Sequence, residues 1–110
     1  MKIYLIGDIG EFNRNTNNIF ENIKKNIHQE DVIILLGDNF YPNGVLSVND
    51  SKWENFKKLN LENSVWCVLG NHDYLGSIEA QLKFKSNNWN LPHYYYKKTF
   101  DGFDFFFLLF

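Results

Sequence analysis

The sequence has one cysteine, Cys67, so no internal disulfide can form, and a reducing compartment is the expectation. It has one Arg and one Ala, and its lysine pairs (Lys24-Lys25, Lys57-Lys58, Lys97-Lys98) are scattered instead of forming a stripe. With a formal net charge of −2, nothing in the charge pattern favours nucleic acid or an anionic membrane as partner. Long apolar runs are missing as well. The opening MKIYLI stops at Gly7-Asp8, too short for the apolar core of a signal peptide, and the closing FDFFFLLF is far too short to cross a bilayer. The expectation is therefore a soluble protein, cytoplasmic, without membrane or nucleic-acid partner. There is no repeat, no Pro-rich linker and no low-complexity tract across the 110 residues, so one domain is the simplest parse. Aromatic residues are plentiful: eleven Phe, six Tyr and three Trp supply much of the candidate core.

Apolar runs at Lys2 to Ile6, in DVIILLGDN and in SVWCVLGN predict three buried strands, each ending in a Gly-containing turn. Between the first two, Ile19, Phe20, Ile23 and Ile27 recur at helical spacing, with Asn15 or Thr16 available as cap and Lys24, Lys25 and His28 toward the C-terminal end. Ser51 can cap a second helix carrying Trp53, Phe56 and Leu59, and a third runs from about Ile78 to Phe84. Tyr94 to Phe100 and Phe103 to Phe110 are strand-like, and Asp101-Gly102 between them is a strong hairpin signal. Strands alternating with amphipathic helices predict an α/β fold with a largely parallel sheet covered by helices.

The three strands end alike, in Gly7-Asp8, Gly37-Asp38-Asn39 and Gly70-Asn71-His72-Asp73. Sites in open α/β sheets form at the carboxyl ends of the strands. If the strands are neighbours, Asp8, Asp38 and Asn71 converge. Two carboxylates and an amide carbonyl are hard oxygen donors, and adjacent carboxylates repel unless a cation neutralises them. Two metal ions a few ångströms apart can activate water and hold a phosphoryl oxygen. His72 is then placed to assist a leaving oxygen, with Asp73 orienting its imidazole.

GDIG, GDNFY and GNHDY, in this order after successive strands, resemble the first three motifs of calcineurin-like metallophosphoesterases. GDNFYPNGV, with a Tyr three residues after the Asp, and the stretch LGSIEAQLKF…WNLPHYYYKKTF are similar to the purple acid phosphatase branch, its small tartrate-resistant type. The four residues GNHD arise by chance in a chain this long about once in a few thousand cases at average residue usage, so three ordered motifs together outweigh coincidence. The resemblance runs over essentially the whole chain and implies a β-sandwich flanked by helices, of which residues 1–110 make roughly the N-terminal half.

By the same resemblance Asp8 binds a first metal, Asp38 bridges two metals, Tyr41 binds the first as phenolate, Asn71 binds the second through its side-chain oxygen, and His72 meets the phosphate without ligating. The implied cofactors are Fe(III) and a divalent ion (Fe, Zn or Mn), and the implied substrate is a phosphate ester. The family's further ligands, one His and a later Gly-His-x-His, have no counterpart among the three histidines His28, His72 and His93. A fragment of a longer product, a truncated frame, and completion by a missing C-terminal half or second chain all fit that gap. Two other functions stay open: a metallophosphoesterase acting on diesters or nucleotide pyrophosphates, and a non-enzymatic module with an incomplete ligand set. Beside these motifs, His28 reads as a solvated helix-end residue, His93 and Tyr94-Tyr95-Tyr96 as packing at the entry to the hairpin, and Cys67 as an inert small hydrophobe within a strand.

Overall fold

A computed structural model describes residues 1–108. Four short strands, β1 (Ile3–Ile6), β2 (Val32–Leu35), β3 (Val65–Cys67) and β4 (Trp89–Asn90), form one parallel sheet in the order β1-β2-β3-β4. Three helices, α1 (Arg14–Asn26), α2 (Trp53–Lys58) and α3 (Ile78–Lys83), lie in the connections, and β5 (Tyr96–Phe100) and β6 (Phe103–Phe107) close the chain as an antiparallel hairpin. The expected α/β architecture is present. β4, two residues long, has no sequence signature of its own, and Leu109 and Phe110 of the expected last strand lie outside the described residues.

β2 shows how the layers are made. Its side chains alternate, as strand geometry requires: Ile33 and Leu35 enter the large core with Phe20 and Ile23 of α1, Trp53 and Phe56 of α2 and Ala80 of α3, while Val32 and Ile34 meet Phe100 and Phe107 of the hairpin. Helices therefore cover one face of the sheet and the hairpin covers the other. The helical side is aromatic. Trp53 stacks on Phe84 with ring centroids 3.6 Å apart, and Trp89 meets Trp53 and Phe56 edge-on at 4.9 and 5.0 Å. Burying each such ring stabilises the fold by about 1.5–3 kcal/mol. On the far side Tyr96 stacks on Phe107 at 4.4 Å and places its hydroxyl 2.6 Å from the Cys67 carbonyl oxygen, tying the hairpin to β3.

Two caps differ from expectation. Asn13, not Asn15 or Thr16, caps α1, its Oδ1 accepting the Thr16 amide at 3.1 Å, since the helix begins one residue earlier than Asn15. Ser51 does not cap α2. Lys52 holds the cap position without a side-chain bond, and Asp50 accepts the amides of Leu46 and Lys52 instead, folding the preceding loop onto itself. The Asp101-Gly102 turn has φ of 51° and 81°, the doubly positive pair that a two-residue hairpin matched to strand twist needs. No helix among the described residues is long and apolar enough to cross a membrane.

Candidate metal centre

Because β1, β2 and β3 are neighbours in register, the loops leaving their carboxyl ends lie side by side. The backbone stitches them together: the Asp8 amide donates to the Gly37 carbonyl at 3.1 Å, Gly10 to the Asp38 carbonyl at 3.1 Å, and Tyr41 to the Gly10 carbonyl at 3.2 Å. Asp8 and Asp38 both have positive φ, 57° and 53°. This left-handed conformation is uncommon for any residue but Gly, with Asp and Asn the tolerated exceptions, and it costs about 1 kcal/mol or more. Two carboxylates held this way at adjacent strand ends are the kind of local strain that clusters at functional sites.

Their side chains meet at Tyr41. The phenol oxygen stands 3.1 Å from Asp8 Oδ1 and 3.2 Å from Asp38 Oδ2. A phenol carries one proton and can satisfy one of the two carboxylates at a time. The two carboxylate oxygens thus compete for one donor. Burial, the hydrogen bond to Asp8 and the charge of Asp38 push the Tyr41 hydroxyl well above its ordinary range, so without a cation it stays protonated. Gly70 is required beside this group: a Cβ there would run into the Asp38 side chain and backbone nitrogen.

The third loop is tied to the second through His72, whose amide donates to Asp38 Oδ1 at 3.0 Å. The His72 ring is half-buried, with Nδ1 2.7 Å from the Pro42 carbonyl oxygen and its face edge-on to Tyr41 at 4.7 Å. A carbonyl only accepts, so Nδ1 carries a proton and Nε2 is the ring nitrogen with a lone pair or a second proton to offer. Asn71 is exposed on the same loop, one residue from the His72 amide that binds Asp38.

Asp73 is not where its motif suggested. The carboxylate does not orient the imidazole; it turns inward, 0% exposed, and accepts the amides of Asn39, Phe40 and Gly70 together with Gln81 Nε2. Burial pushes this carboxyl up, and the Gly70, Gln81, Asn39 and Phe40 donors pull it back. Asn39 and Gln81 were missed at the sequence level. The available signal was Gln81 itself, a polar residue three positions after Ile78 on the buried face of a short helix. His28 and His93 are both exposed: His28 lies beyond the C-cap of α1, and His93 meets the rings of Tyr94 and Tyr95 edge-on.

Among the described residues, no three His, Cys, Asp or Glu side chains gather closely enough to hold an ion by themselves. The donors at hand are two carboxylates and a phenol, with an amide oxygen on the adjoining loop. All are hard oxygen donors, suited to Fe(III) or to hard divalent ions, and the proton-poor oxygen trio fits a cation.

The family described as calcineurin-like phosphoesterase matches residues 1–109. Tartrate-resistant acid phosphatase type 5 of Oryctolagus cuniculus is 41% identical over 76 residues, 62% of this chain and 23% of the relative. The protein of the same description from Homo sapiens is 40% identical over 78 residues, 64% of this chain and 24% of the relative. Purple acid phosphatase 7 of Arabidopsis thaliana is 46% identical over 57 residues, 47% of this chain and 17% of the relative. The matched stretch thus spans less than a quarter of the length of these curated relatives.

Proposed function

The chain belongs to the calcineurin-like phosphoesterase family, and on that premise we propose that it carries part of a two-metal centre that hydrolyses phosphomonoesters. Asp8 and Tyr41 would hold a first ion and Asn71 a second through its amide oxygen, with Asp38 serving both. The ions are Fe(III) and a divalent Fe, Zn or Mn, following the likeness to purple acid phosphatases. When bound they supply Lewis acidity that polarises a phosphoryl oxygen and lowers the pKa of water. The residues of the chain do the rest. His72, held through Nδ1 by Pro42, presents Nε2 to the phosphate and supplies a proton to the departing oxygen. Its amide fixes one Asp38 oxygen, leaving the other toward Tyr41.

The observation that carries this is the Tyr41 hydroxyl within 3.2 Å of both the Asp8 and the Asp38 carboxylate. A second reading, a module that takes up a cation without turning over substrate, is favoured by the donor count: four side chains are fewer than two ions require. Metal analysis of the purified chain, followed by a p-nitrophenyl phosphate assay of the loaded chain and its Asp38→Asn variant, separates them. Two ions per chain with hydrolysis that Asp38→Asn abolishes supports the phosphatase. Uptake without hydrolysis supports the module. No uptake overturns both.

A further inference from the structure

Among the described residues, Asp73 is a buried carboxylate with no cation against it. Its two oxygens are met only by fixed amide groups: Asn39 N at 3.1 Å from each, Phe40 N at 3.2 Å, Gly70 N at 2.8 Å and Gln81 Nε2 at 3.0 Å. Asn39 and Phe40 directly follow Asp38, and Gly70 directly precedes Asn71. The carboxylate therefore sits between two loops and binds both, as an external anion would fill a nest of backbone amides.

Gln81, 0% exposed on α3, closes the arrangement. Its Nε2 donates to Asp73, its Oε1 accepts Asn39 Nδ2 at 3.2 Å, and Asn39 Nδ2 also donates to the Val68 carbonyl at 3.0 Å. The orientation of each amide is set by its partners, since a carboxylate and a carbonyl can only accept. The Gln81 backbone carbonyl accepts the Trp89 indole at 2.9 Å, which fastens the strap to the aromatic core.

We propose that Asp73 and Gln81 are positioning residues that hold the Asp38 loop and the Asn71–His72 loop at a fixed spacing before any ligand arrives. The claim that this spacing serves a metal rests on the function proposed above; the strap itself does not. Binding sites need their groups held to within a fraction of an ångström by locked neighbours, and a loop pair stitched by one internal anion meets that need without a metal.

The test is Gln81→Met, which keeps volume and removes both amide contacts, against Phe107→Leu, which loosens the hairpin cluster on the opposite face of the sheet. Amide hydrogen exchange of the metal-free chain is read first. Gln81→Met is expected to speed exchange about five- to tenfold at Asn39, Phe40, Gly70 and His72 relative to Ile33 and Val65, the factor for losing one hydrogen bond. Phe107→Leu is expected to speed all six alike. Uniform acceleration in Gln81→Met, or none, overturns the strap. Calorimetric titration with Zn(II) alone, at a temperature where all the proteins are folded, is read second. An affinity about tenfold weaker in Gln81→Met and unchanged in Phe107→Leu is expected. Selectively loosened loops with unchanged Zn(II) affinity overturn the positioning role. If the wild-type chain takes up no Zn(II), the proposed function fails and the exchange pattern still decides the strap. If Gln81→Met does not fold, Gln81→Asn, whose amide falls one methylene short of Asp73, reads the same quantities.

Discussion

Replacing Asp8 by Asn should make the metal-free chain more stable while stripping it of its proposed ligand. Both Asp8 and Asp38 lie within 3.2 Å of one phenol oxygen, so their nearest carboxylate oxygens are at most about 6 Å apart. Two like charges at that distance repel by about 0.7 kcal/mol in water and about 3 kcal/mol at the dielectric of a protein surface. Asp8 is exposed, which places the effect toward the low end, about 1 kcal/mol. Asn tolerates the positive φ of position 8 as well as Asp does, so backbone strain is not changed, and Tyr41 is freed to donate fully to Asp38. A gain of about 1 kcal/mol raises the midpoint of thermal unfolding by about 4–8 °C. Calorimetry of wild type and Asp8→Asn at ~0.01 M and ~1 M salt checks it, since screening shortens from ~30 Å to ~3 Å over that range. The gain should appear at low salt and shrink at high salt, while Zn(II) affinity falls by more than the roughly 10–100-fold typical of changes behind a ligand. A variant less stable than wild type at low salt, or a gain indifferent to salt, would refute the repulsion argument.

With Fe(III) added, Tyr41→Phe should lose any visible phenolate charge-transfer band while keeping the far-ultraviolet dichroism of wild type. A band that persists takes Tyr41 out of the ligand set. Gly70→Ala should destabilise the chain by about 1–3 kcal/mol or more in denaturant titrations, because its Cβ meets Asp38. Gly102→Ala, with φ 81° and open space around it, should cost only about 1–2 kcal/mol of backbone strain. Equal costs would mean that the two loops shift apart without penalty, since the clash includes the Asp38 backbone nitrogen. Asp31 accepts the His28 and Lys2 amides at 2.8 and 2.7 Å, and the His28 bond above all holds its carboxyl below the usual range. The unfolded chain therefore binds this proton more readily. Stability from Asp31 is complete above its unfolded pKa, near ~4, and is lost as pH falls through the lower folded value. Unfolding midpoints of Asp31→Asn between pH 6 and pH 2 should fall less steeply than those of wild type; parallel curves would dismiss the contribution.

The elements with strong periodicity were legible in the sequence. VIIL of β2 is buried on both faces because helices pack on one and a hairpin on the other, and a continuous apolar run is what such a strand requires. The Asp-Gly turn announced the hairpin through the φ values it demands. The Gly-Asp endings placed Asp8 and Asp38 at strand ends, and the sheet order then put those ends together. Three things were hidden. The caps of α1 and α2 depended on which of several Asn, Ser and Asp residues reached an amide first, a competition decided by loop shape. β4 is two residues held in register by β3, with no periodicity to read. Asp73 could be placed in a motif but not aimed, because whether it faces His72 or the interior depends on Gln81, eight residues away on a helix that packs only once the core has formed.

The most direct measurement is the anomalous scattering from crystals of the chain grown or soaked with Zn(II) or Fe(III). Asp8, Asp38 and Tyr41 as ligands predict a peak within coordination distance of all three side-chain oxygens, lost in Asp38→Asn crystals. A peak elsewhere, at exposed His28 or His93 for instance, or none at saturating metal, would contradict a metal centre at these strand ends.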